Sequence, residues 1–76
     1  MENKPQTPKT TDQIKQYTLI KQSVCDRDTI ELRFYAYAID AKWRIYQIWH
    51  ASNRENCTGK YQEKIDALYA YKKAIE

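Results

Sequence analysis

The segment from Asp28 to His50 constrains the fold more than any other, because its residues satisfy two periodicities at once. At a period of two, Ile30, Leu32, Phe34, Ala36 and Ala38 make one unbroken apolar face, and Glu31, Arg33, Tyr35 and Tyr37 make the other. Asp40-Ala41-Lys42 then turns the chain, and Trp43, Ile45, Gln47 and Trp49 return beside the first run. At a period of about 3.6, Arg33, Asp40, Arg44 and Gln47 share a polar stripe, and Asp28 with Glu31 resembles a capping box. The missing glycine at the turn favours one long helix, whereas Glu31 and Lys42 fall on its wrong face. Half the residues from Thr29 to His50 are Ile, Thr or aromatic, types that suit a pleated surface, so strands are the preferred reading.

The flanking segments complete the expected architecture. In Lys60–Glu76, Tyr61, Ile65, Leu68, Tyr71 or Lys72, and Ile75 share one helical stripe, with Gln62, Glu63, Asp66 and Lys73 opposite. Thr58 is placed to cap that helix, and Gly59 eases its start. Gln16–Val24 reads as a first strand; Cys25–Asp28 and Ser52–Gly59 read as breaks. The expected fold is α+β, a three-stranded antiparallel β-meander packed against one C-terminal helix. The alternative is an all-α three-helix bundle with helices near 12–24, 28–53 and 60–76. Met1–Thr11 holds both prolines and no large apolar residue after Met1, so it reads as a flexible polar N-terminal tail. Residues 12–76 then make a single small domain.

Composition removes several function classes. A 76-residue chain leaves little room for a walled active site and buries only roughly 60% of its extended surface. Its one glycine, Gly59, excludes a glycine-rich phosphate loop, so Thr58-Gly59-Lys60 carries no nucleotide-binding signal. The net charge is +3, and +2 without Met1–Thr11, far short of a polyanion-coating footprint. The longest purely apolar run, Ala36 to Ile39, is much shorter than the ~20 residues of a membrane span. Met1–Gln16 lacks the layout of a secretory signal, so a cytoplasmic location and reduced thiols at Cys25 and Cys57 are expected.

Catalytic and metal chemistry find little support. His50 is the sole histidine, so a nucleophilic pair needs Cys25 or Cys57 beside it. Cys25 neighbours Asp26 and Cys57 lies in a polar stretch, neither being the cationic setting that activates a thiol. A solvent-facing histidine and two incidental thiols are the simpler reading. Zinc wants four ligands with a short clip, which one His and two distant Cys do not supply. Asp26-Arg27-Asp28 is explained by local turn hydrogen bonds. No cofactor, no metal and no enzymatic activity are expected.

One surface exceeds expectation. Seven tyrosines and two tryptophans are many for this length, and several adjoin arginine or lysine. On the strand reading Arg33, Tyr35, Tyr37, Lys42, Arg44, Tyr46 and His50 project from the sheet face opposite the helix. Tyr and Arg bury large amphipathic area at low entropic cost, which suits a protein-binding face. The expected function is therefore a non-enzymatic module that modulates or inhibits a protein partner, like small accessory proteins of bacteria and mobile elements. Tyr35, Tyr37 and Tyr46 would anchor it, and Arg33 and Arg44 would meet partner carboxylates. The alternative is a single-stranded nucleic-acid binder on the same face, stacking bases and neutralising phosphates. Cross-strand tyrosine pairs that merely cover a thin sheet explain the same residues more plainly. Trp43 and Trp49 are assigned to the core or its edge. A meander also has two open edges, so a homodimer is a further expectation, with Lys15 and Lys21 guarding one edge.

Overall fold

Alternation at a period of two governs the middle of the chain. The computed structural model describes residues 15–76 and contains strands β1 (Thr18–Val24), β2 (Asp28–Phe34), β3 (Trp43–Trp49) and β4 (Arg54–Tyr61), followed by helix α1 (Lys64–Ile75). The strands form one antiparallel sheet in the order β1-β2-β3-β4. The fold is thus α+β, and the three-helix alternative is excluded. The tail expected at 1–11 lies outside the described residues.

Four expectations are corrected. The sheet has four strands, not three, because the polar stretch read as a break contains β4. An edge strand with one face in solvent carries few apolar residues, and Asn56, Thr58 and Lys60 therefore resemble a loop. The helix starts at Lys64 because Tyr61 still belongs to β4 and packs on the core. Thr58 caps nothing; its hydroxyl donates to the Ile45 carbonyl at 3.3 Å. Finally, β2 stops at Phe34, and residues 35–42 form a closed loop. The Tyr35 amide donates to the Lys42 carbonyl at 2.8 Å, and the Lys42 ammonium donates to the carbonyls of Ala36 (3.2 Å) and Ala38 (2.5 Å). The apolar run through Ala36 and Ala38 therefore folds on itself, with Ala38 and Ala41 buried inside the loop.

Register decides which face each residue takes. Leu32 pairs with Ile45 and Phe34 with Trp43, and with Ile30 these build the face under α1. The buried cluster is Ile30, Leu32, Ile45, Ala67 and Tyr71, bordered by Ile20, Trp43, Tyr61, Leu68 and Ala70. Burying Leu32 or Ile45 contributes about 1.5–3 kcal/mol each. Ala67 has no accessible surface, so a methyl group is all that separates the helix backbone from the sheet at that point. The helical stripe is accordingly Ala67, Leu68, Ala70 and Tyr71, and Ile65, expected inside, is 73% exposed. Tyr61 had set the wrong phase for that stripe, since it is a strand residue.

The turns and edges have local causes. The Cys25 amide donates to the Asp28 carbonyl at 2.8 Å, closing the expected β1–β2 turn. In the β3–β4 turn the Asn53 amide donates to the Trp49 carbonyl at 2.7 Å, and Asn53 takes a left-handed φ of 59°. Both edge strands are interrupted: β1 shifts register between Leu19 and Lys21, and β4 leaves Thr58 unpaired opposite Ile45 and Tyr46. Cys25 and Cys57 are free. Among the described residues no helix is long and apolar enough to cross a membrane.

Candidate functional site

The face away from α1 is open, and its chemistry begins from an electrostatic conflict. Arg33 on β2 and Arg44 on β3 are direct cross-strand partners, and like charges so placed repel. Carboxylates resolve the conflict separately for each. The Arg33 Nε donates to Glu31 at 2.8 Å, and Nη1 and Nη2 donate to the two Glu55 oxygens at 3.1 Å each. Nη1 also donates to the Tyr35 hydroxyl at 2.9 Å. The guanidinium lies between the rings of Tyr17 and Tyr46, 4.2 and 4.1 Å from their centroids. Arg33 thus stands on the expected face but is only 3% exposed, its guanidinium enclosed by these groups. Arg44 donates to Asp40 at 2.8 Å and to the Ala41 carbonyl at 3.0 Å, and its guanidinium lies 4.8 Å from the Tyr35 ring centroid.

These contacts shift two ionisations. Burial alone would lower the Arg33 pKa, but hydrogen bonds to Glu55, Tyr35 and Glu31 outweigh it and hold the guanidinium above its ordinary value. The Tyr35 phenol is pushed up to about 12, first by burial and then by the neighbouring Tyr46 phenol, against the opposing pull of Arg33. Tyr35 further stacks on Tyr17 and Tyr46, with ring centroids 5.2 and 5.9 Å apart. Tyr17, Arg33, Tyr35, Arg44, Tyr46 and Glu55 thus line a shallow hollow of about 480 Å³, with Lys15 at its border.

Four of the six expected site residues come together here: Arg33, Tyr35, Arg44 and Tyr46. Tyr37 and Lys42 do not. Tyr37 sits in the loop beside Phe34 and Gln16, and the Lys42 ammonium turns into the loop carbonyls. The expectation that these two project from the sheet is corrected, because β2 ends before either. His50 lies at the far end of the sheet, its Nε2 2.8 Å from the Thr29 hydroxyl and its Nδ1 3.3 Å from the Asp26 carbonyl. Cys57 is opposite Tyr46, four residues along β3 from His50, a separation of about 13 Å in an extended strand.

Tyr17, Glu31 and Glu55 are the members that sequence reading passed over. Glu31 alternates with Arg33 and was legible as a neighbour on the same face. Glu55 was hidden because β4 looked like a loop; Tyr17 was read as part of a first strand from Gln16, whereas β1 begins at Thr18, and nothing along the chain tied its ring to Arg33. No family model matches the chain, and no curated protein and no solved structure matches it.

Proposed function

We propose that the open sheet face is a protein-binding surface, and that the chain is a non-enzymatic module that modulates a partner protein. The observation that carries this reading is the engagement of both arginines: Arg33 with Glu31 and Glu55, Arg44 with Asp40. Their charge is already balanced within the fold, which counts against phosphate neutralisation on this face. What remains toward solvent is a set of tyrosine rings held rigid by stacking and by the guanidinium between them. Rigid aromatics beside a partly desolvated arginine are the composition of an interface hot spot.

The roles differ from residue to residue. Tyr17 and Tyr46 supply area, Arg44 supplies directed donors at the margin, and Arg33 positions both rings without reaching solvent. Lys60, Asp40 and Glu55 form a mixed-sign exposed rim. Ile39, 96% exposed, stands next to Asp40 and adds an apolar contact at the border.

The test uses Tyr17→Ala combined with Arg44→Ala, and Ile65→Ser on the outer side of α1 as the control. The open-face variant should keep its far-ultraviolet spectrum and lose partner capture by about 30-fold or more, corresponding to ~2 kcal/mol for a buried anchor. The control should retain capture. Equal capture by wild type and the open-face variant would sink this reading.

A further inference from the structure

α1 crosses the sheet diagonally, and the diagonal leaves one corner bare. The helix starts against the Trp43 and Tyr61 end, where the Lys64 ammonium lies 5.8 Å from the Trp43 ring. It finishes toward β1, where the Tyr71 and Ser23 hydroxyls meet at 2.6 Å. The helix-side face is therefore uncovered at the far ends of β3 and β4. Register specifies what stands there. Gln47 pairs with Asn56 and Trp49 with Arg54, two successive cross-strand pairs on the same face as Ile45.

Trp49 is 42% exposed, at the margin of the sheet and not inside the core. It walls a hollow of about 410 Å³ that Gln47, Ser52, Arg54 and Asn56 also line. Gln47 is oriented by donating to Asp28 at 2.6 Å. Among the described residues Arg54 has no carboxylate partner, unlike the two arginines of the open face. Glu55, which borders the hollow, is held by Arg33. On the other side of Trp49 lies a second hollow where Asp26 accompanies Arg27, so the anion-attracting side is that of Arg54.

We infer that this corner binds a nucleotide unit, with the base stacked on Trp49, its edge met by Gln47 and Asn56, and its phosphate at Arg54. A flat ring, two amides and an unengaged guanidinium match a phosphorylated nucleoside. A neutral sugar would use the ring and the amides and leave Arg54 without a role. The site is on the opposite face from the protein-binding surface and does not depend on it.

The experiment is an amide and indole NMR titration of the full labelled chain with a short oligothymidylate, thymidine monophosphate and a neutral disaccharide, each at low and moderate salt. Trp43 is the internal reference. The expected result is a shift of the Trp49 indole and the Arg54 and Asn56 amides, with the Trp43 indole unmoved. Trp49→Ala should weaken binding roughly tenfold or more. Arg54→Gln, a surface change that leaves the fold intact, should reduce the salt slope by about one phosphate contact. A response to both nucleotide probes assigns a free nucleotide, and a response to the oligomer alone assigns a single strand. No shift at Trp49 with either nucleotide probe, or a shift with the disaccharide alone, overturns the inference, as does a response confined to Tyr46 and Arg44.

Discussion

Arg33 shows how a single side chain is made compatible with burial. An arginine left without partners in that position would cost far more than its packing returns, and here two carboxylates, a phenol and two aromatic faces receive it. Arg33→Ala should therefore destabilise the protein by about 2–3 kcal/mol, below the usual loss for a buried pair because Glu55 is half-exposed and screened. Arg33→Lys should not restore the loss, since an ammonium cannot grip Glu55 with two parallel bonds. Urea midpoints of the two variants check both statements; a wild-type midpoint for Arg33→Lys would show that charge alone suffices. Tyr35 adds a pH dependence. Its folded pKa, about 12, lies above the ordinary tyrosine value of 10.0. Its contribution is thus complete below about pH 10 and is lost as pH rises through about 12. Near-ultraviolet absorbance should show one tyrosine ionising late, and Tyr35→Phe should flatten the fall of Tm across that window.

At the level of elements, small local devices set where strands begin and end. Asn53 occupies the left-handed region at the β3–β4 turn, which asparagine and glycine tolerate and β-branched residues do not. Asn53→Gly should leave Tm nearly unchanged, whereas Asn53→Val should cost about 1–2 kcal/mol, measured by thermal denaturation. Gly59 has a different reason to be small. A Cβ there would stand 2.5 Å from the Tyr61 hydroxyl and 2.8 Å from its ring, which lies across the glycine. Gly59→Ala should displace that ring and cost about 1–3 kcal/mol by denaturant titration, and a neutral result would show that Tyr61 swings aside freely. Removing the helix-to-β1 link with Tyr71→Phe should cost about 1 kcal/mol, because the hydroxyl of Ser23 then loses its partner.

For the molecule as a whole, a two-layer arrangement on so short a chain leaves one sheet face and two edges to manage. The open face carries stacked tyrosines around ion-paired arginines. Both edges carry register shifts, which twist a strand away from the flat geometry a second copy would need. The full chain should accordingly sediment as a monomer at micromolar concentration. A concentration-dependent dimer in the same experiment would mean that one edge pairs despite its bulge.

Period-two alternation from Ile30 to Phe34 and from Trp43 to Trp49 favoured β2, β3 and their shared apolar face, because neighbouring residues in a strand must point to opposite sides, but the competing helical period was removed only by the pairing of the two strands. The aromatic and cationic character of the opposite face followed from the same alternation. Local pattern carried no information about β4, whose residues are polar because the strand lies at an edge and is identified only by its pairing with β3. Nor did it separate arginines that face solvent from arginines that are enclosed: Arg33 and Arg54 look alike along the chain, and although Glu31 beside Arg33 was legible, only β4 brings it Glu55, while among the described residues Arg54 meets no carboxylate. Alternation in the sequence sets which way a side chain points. The charges and rings that meet it come from segments distant in sequence, and their positions depend on strand order, register and the diagonal of the helix.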